Sequence, residues 1–182
     1  MSSQNGITTN SYQRILMGPG AVYIGIDQSA LLGATKGGNM MEINRVFRDI
    51  RPDGALGKTK GYRFLESVEA TLTVRLMEVT EANVTYALAG STLNSHVITG
   101  GEIAAASYID EVSIVAEVKG ITAATEASSV AIAMTNCLVE GPLTIDLPDS
   151  GDAIIELKFV GHFNPASMTT EPWEITFTPV SA

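Results

Sequence analysis

Few residues in this 182-residue chain have the types and spacing that chemistry needs. Gly57-Lys58-Thr59 has the ending of a phosphate-binding loop, in which backbone N–H groups and a lysine hold phosphate oxygens at the start of a helix. The full motif requires a glycine five positions earlier, where Pro52 stands. Lys60-Gly61-Tyr62 does not open a helix either, so no nucleotide site is expected. His96, His162 and Cys137 lack the spacing of a zinc ligand set. Cys137 is the only cysteine, which excludes an internal disulfide, and its apolar surroundings point to a buried, inert thiol. Asp110 and Glu111 are neighbours on a strand pattern and must face opposite ways. Asp149-Ser150-Gly151-Asp152 has the composition of a turn. There is no Gly-x-Ser-x-Gly elbow and no Ser-His-Asp set. No catalytic, cofactor-binding or metal-binding residue is nominated, no cofactor is expected, and the chain does not read as an enzyme.

Composition narrows the rest. Hydrophobic residues make up 45% and charged residues 17%, so the bulk of the chain should fold around a core rather than stay disordered. No stretch reaches the ~20 apolar residues that span a bilayer as a helix. The opening Met1 to Gly6 has no charged-then-apolar signal pattern, so synthesis and folding in a cytoplasm are expected, and Asn83-Val84-Thr85 is a chance glycosylation sequon. The net charge of −9 argues against gripping duplex DNA. That charge is uneven. Residues 1–75 hold nine of the eleven Lys and Arg and six acids, whereas residues 76–182 hold two Lys and fourteen acids. Such polarity suits head-to-tail contact between copies, as well as ordinary solvated surface.

The elements that position these residues are mostly strands. Val68, Ala70, Leu72, Val74 and Leu76 alternate with Glu69, Thr71, Thr73, Arg75 and Met77, predicting a strand with one buried and one wet face. Residues 40–50 form a second, charge-rich strand pattern, with Ile43, Arg45 and Phe47 opposite Glu42, Asn44 and Arg48. Residues 108–119 put Val112, Ile114, Ala116 and Val118 inward and Glu111, Ser113 and Glu117 outward. In residues 129–140, Val130, Ile132, Met134 and Leu138 share a face. Residues 152–163 and 173–178 alternate again, and 21–26 is a short strand entered through a Gly18-Pro19-Gly20 turn. A loop or weak hairpin is expected over 93–106 and a hairpin link over 120–128. One α-helix is expected at about residues 80–89, capped by Thr80 and stopped by Gly90. The fold class is therefore mainly β: an antiparallel sandwich or barrel with one flanking helix. Residues 1–14 read as a flexible arm and 15–182 as a single β-domain.

Two glycine-rich, basic loops flank the strand at 40–50. One spans 28–39 and contains Gly33, Lys36, Gly37 and Gly38; the other spans 51–61 and contains Arg51, Lys58 and Lys60. The order of Ile15-Leu16-Met17-Gly18-Pro19-Gly20-Ala21-Val22-Tyr23-Ile24-Gly25, Leu32 to Asn39, Arg51-Pro52-Asp53-Gly54, Gly57 to Gly61 and the strand Val68 to Leu76 resembles the major tail tube proteins of long-tailed, non-contractile (siphovirus-type) bacteriophages. The match covers about residues 15–90.

The resemblance implies a structural virion protein whose hexameric rings stack into a hollow tail tube. DNA would pass through it during ejection without specific binding. It implies self-association, a tape-measure protein, a tail terminator and baseplate or tip proteins as partners, and no membrane. On that reading the residues named in the two loops contact neighbouring subunits, and Lys36, Arg51, Lys58 and Lys60 meet acids from residues 76–182. Glu42, Asn44, Glu69, Thr71 and Thr73 are the candidates to face the lumen. Alternatives are a monomeric β-sandwich binding module, such as a capsid decoration protein, or a related secretion-tube protein. An enzyme on a β-barrel would need a convergent polar pocket.

Overall fold

The computed structural model describes residues 16–118, 127–146, 149 and 151–179. The arm expected over 1–14 and most of the link expected over 120–128 lie outside the described residues. The fold is mainly β and antiparallel, with one α-helix among the described residues. Its strands are β1 (Leu16–Ile24), β2 (Ala30–Leu31), β3 (Met40–Asp49), β4 (Arg63–Leu76), β5 (Thr92–Asn94), β6 (Val97–Thr99), β7 (Ile109–Val118), β8 (Ala127–Val139), β9 (Ile145–Asp146), β10 (Ile154–Gly161) and β11 (Trp173–Pro179). The main sheet runs β2-β1-β7-β8-β10-β4-β3, with β11 also on β8 and β9 also on β10. β5 and β6 form a separate two-stranded hairpin within the expected weak one.

β8 makes this sheet fold over on itself. Its first half pairs with β11 and its last residues pair with β10, while β7 follows its other edge. The switch sits at Asn136, whose φ of 50° lies in the left-handed region that a short amide side chain tolerates. One core results. Val22, Ile24, Val112, Ile114 and Met134 meet Leu72, Val74, Leu76, Ile155, Leu157 and Phe159. Each fully buried Leu, Ile or Phe contributes roughly 1.5–3 kcal/mol through removal from water.

Three strand expectations are corrected. After Asn136 the inward residues of β8 are Cys137 and Val139, so Leu138 does not share the face of Met134. The register against β7 runs through this point unshifted, so the left-handed backbone of Asn136, and not an inserted residue, turns the later side chains over, which period two cannot announce. Ser113 is buried rather than outward, because the turn at Ile26–Gln28 packs against β7. Gly18-Pro19-Gly20 is a bulge inside β1, where pairing with β7 shifts between Met17 and Ala21, and not an entry turn.

The helix α1 (Glu81–Ala87) forms as expected. Thr80 accepts a hydrogen bond from the Asn83 N–H at 3.1 Å, and Ser91 N–H closes the far end on Leu88. Asn83 is buried and donates its side-chain amide to the Leu32 and Glu78 carbonyls, which ties the helix to the core. Gly90 (φ 79°) is required there, because a Cβ would come within 2.8 Å of the Glu102 carbonyl oxygen.

Candidate assembly surfaces

β3 and β4 pair from Met40↔Thr73 to Asp49↔Arg63, with a bulge between Val46 and Phe47. At the base of this hairpin Ala70, Leu72, Val74 and Leu76 are fully buried, and Met41 and Ile43 pack against the same core. Beyond Ala70 the ladder continues without a core beneath it. Val46, Phe47, Ile50, Tyr62, Phe64 and Leu65 are exposed, Phe64 at 53%, and Leu56 in the connecting loop is fully exposed. The extra residue at this bulge is Glu66 of β4, since Val46 faces Ser67 and Phe47 faces Leu65, and the Arg45 guanidinium lies over the Phe47 ring at 5.7 Å.

The same segment is basic. Residues 44–65 hold six Lys and Arg against Asp49 and Asp53. Asp49 engages Lys58 at 3.4 Å and Arg63 at 3.5 Å, and Arg45 reaches Glu171 at 2.7 Å. The Arg63 guanidinium stacks over the Phe47 ring at 4.4 Å. Arg48, Arg51 and Lys60 have no ion pair among the described residues. The Ile50 N–H bonds the Tyr62 carbonyl at 2.8 Å and closes the loop. Gly57-Lys58-Thr59 runs on into a strand, so it has no helix N-terminus to hold a phosphate.

The glycine-rich segment at 33–38 is tethered rather than a free loop. Lys36 N–H bonds Arg75 O at 2.9 Å, Met77 N–H bonds Ala34 O at 2.9 Å, and Ala34 N–H bonds a Glu78 carboxylate oxygen at 2.8 Å. Gly33 lies against Glu78 and Gly37 against the Arg75 side chain, both with positive φ, whereas Gly38 faces open space. Lys36 forms an ion pair with Asp152 of its own chain, and Lys58 is held by Asp49 of its own hairpin.

The five residues nominated from the wet faces of two separate strand patterns converge. Glu42 stands opposite Thr71, and Asn44 opposite Glu69. Together with Met40 and Lys158 of β10 these five line a shallow depression of about 220 Å³, although Thr71, expected to be wet, is itself buried. Charge on this sheet face is closely balanced. Arg75 pairs with Glu156 at 3.0 Å, Lys158 lies 3.9 Å from Glu69, and Glu42 has no ion pair among the described residues. β3 is the last strand of its sheet, so one row of its backbone groups has no strand partner among the described residues.

The remaining titratable residues are scattered. His96 sits at the β5–β6 tip with Nδ1 2.6 Å from Glu81. His162 has Nδ1 3.0 Å from the Val160 carbonyl and its ring edge-on to Tyr108. Burial of Cys137 pushes its thiol up to about 12. Glu111 is raised above the ordinary carboxyl range, first by burial and then by Asp27 and Glu174. Among the described residues no three His, Cys, Asp or Glu side chains converge as a metal site, and no helix is long and apolar enough to cross a membrane.

Sequence reasoning located the polar face but missed the apolar character of the distal hairpin. The available signal was Phe64-Leu65, two large apolar neighbours that cannot both point inward.

No family model matches the chain and no curated protein matches it. Solved structures do show likeness. The cap that terminates the anti-feeding prophage tube is 12% identical over 98% of this chain and 95% of that chain, with a TM-score of 0.47. A chain of the native gene transfer agent virion is 10% identical over 88% and 95%, with a TM-score of 0.43. An Hcp protein is 12% identical over 79% and 88%, with a TM-score of 0.32. Every TM-score lies below 0.5, so none of the three decides what this chain does.

Proposed function

We propose that this protein is a self-assembling tube subunit of a phage tail, working as hexameric rings that stack into a hollow tube. The observation that carries this reading is the distal β3–β4 hairpin, a paired ladder with exposed apolar side chains and uncompensated cations. An exposed apolar hairpin beside a free sheet edge is an aggregation hazard in a monomer, and a closed ring of copies removes it. The siphovirus-type resemblance of residues 15–90 points the same way. The loops with Gly33, Lys36, Gly37 and Gly38 and with Arg51, Lys58 and Lys60 then serve as inter-subunit contacts.

The polar face of β3 and β4 becomes the lumen wall. Glu42, Asn44, Glu69, Thr71 and Thr73 line it, and Arg75 and Lys158 lie beside carboxylates of the same face, whereas Arg48, farther along β3, has no such partner among the described residues. Between Met40 and Asn44 the wall has no unpaired cation, so it gives phosphates nothing to hold there and DNA slides past. The subunit would be made in the host cytoplasm and end in the virion. A tape-measure protein, tail terminator and baseplate or tip proteins complete the assembly.

Electron microscopy of the purified protein tests the first step. Tubes or stacked rings are expected; a monodisperse monomer at every concentration would remove the reading. The lumen assignment has its own test. Tubes of the Glu42→Lys, Glu69→Lys variant should retain DNA at low salt and release it at high salt, while unmodified tubes retain none. Equal retention by both would take these residues off the inner wall.

A further inference from the structure

We infer that the tip of the β3–β4 hairpin docks into a groove on a second copy of this chain, between the end of α1 and residues 102–110. This rests on the self-assembly reading and names the surface that receives the hairpin. The groove holds about 600 Å³ and is lined by Tyr86, Ala89, Ala104 and Ala106, with Glu102 and Asp110 beside them. Small alanine side chains leave room for a larger apolar group from outside. The hairpin tip offers one. Leu56 stands fully exposed between Arg51 on one side and Lys58 and Lys60 on the other.

Charge selects the occupant. Residues 76–118 contain six acids and no Lys or Arg. Glu78 and Glu81 are engaged within the chain, by Ala34 N–H and His96, whereas Glu102 and Asp110 have no ion pair among the described residues. Arg51 and Lys60 are the matching cations without an ion pair. Each surface therefore has an apolar centre and a charged rim of opposite sign, the arrangement that fixes register and partner between docking surfaces. Both lie on one chain, so the contact is heterologous: hairpin of one copy, groove of the next. Such a contact propagates rather than closing at a dimer.

Cross-linking tests the geometry directly, because buried Cys137 leaves the wild-type background free of an accessible thiol. Chains carrying Leu56→Cys are mixed with chains carrying Ala106→Cys and treated with diamide. A disulfide-linked heterodimer is expected in preference to that formed with Met168→Cys, an exposed site outside the groove. Equal yields from the two partners would overturn the docking.

Charge exchange supplies the second measurement. Arg51→Glu, Lys60→Glu should weaken self-association about tenfold or more, because like charges then face each other across the rim. Adding Glu102→Lys and Asp110→Lys to the same chain should restore it. Absence of rescue while the wild type still assembles would discard the groove but keep the tube. A wild type that never assembles would discard both.

Discussion

The two halves of the β3–β4 hairpin share strands and ladder pairing on either side of a bulge, yet differ in what lies beneath them. The proximal half, Ala70 to Leu76 against Met40 to Ile43, covers the common core. The distal half, Arg63 to Leu65 against Phe47 to Asp49, continues the ladder with large apolar side chains exposed. The difference shows that alternation in a strand records a face, while burial depends on a second layer. In this fold the second layer ends and the ladder does not. The excess length is stable as a strand because its neighbour pairs with it, but its side chains gain nothing from it in one chain.

Substitution in the two halves should separate most sharply in urea denaturation of the isolated subunit. Leu72→Ala removes a fully buried side chain and leaves a cavity, so it should cost about 3 kcal/mol. Phe64→Ala, on the same strand, should change stability by no more than ~0.5 kcal/mol. The order reverses for assembly, where Phe64→Ala should raise the concentration needed for tubes. A large loss of subunit stability from Phe64→Ala would erase the distinction between the halves.

The proximal half is covered because β8 turns at Asn136 and hands its edge from β11 to β10. Asn136→Val places a β-branched residue at a φ of 50°, where strain of roughly 1–3 kcal/mol is expected. Asn136→Gly should be close to neutral. Thermal melts of the pair distinguish backbone strain from loss of the Asn136 side-chain bond to the His162 carbonyl. Equal destabilisation by both would assign the effect to that bond.

Most of the proximal half was legible in the sequence, because Val68 to Leu76 alternates cleanly and β-branched residues fit a pleated surface. So was the convergence of Glu42 and Asn44 with Glu69, Thr71 and Thr73, since adjacent antiparallel strands bring their polar faces together. The distal half was not legible as exposed, since nothing local distinguishes a covered strand from an uncovered one. Nor was the reversal at Asn136, a single left-handed residue between two segments of one strand. Lys36 was legible as a group seeking an acid from residues 76–182. Its partner Asp152 lies in the same chain, a fact set by tertiary placement.

Shortening the hairpin tests the same contrast by removal. Replacing residues 46–67 with Asn-Gly joins Arg45 to Val68, which already face each other, through a two-residue turn. The subunit should keep its stability within about 1 kcal/mol, given that the removed residues stand outside the core. Self-association should disappear. Tubes of normal length from the shortened chain would show that the distal half is ornamental.

The smallest effect concerns charge on the body that the basic hairpin is set against. Glu111 is raised above its ordinary value of 4.5, chiefly by burial and then by the carboxylates of Asp27 and Glu174. Its protonated form is favoured in the folded chain relative to the unfolded one. The associated stability is therefore present below the ordinary carboxyl value and is lost as pH rises through the folded value. Glu111→Gln keeps the shape and removes the charge, so the variant should melt above the wild type near pH 7. The gap should narrow toward the ordinary carboxyl value, where the wild-type side chain takes up its proton. Salt should narrow it too at neutral pH, because part of the effect is repulsion between carboxylates. Thermal melts across pH read the sign directly. If Glu111→Gln lowered the melting temperature equally at both ends of the range, the ionised carboxylate would not be the destabilising group, and shape or hydrogen bonding at that position would govern instead.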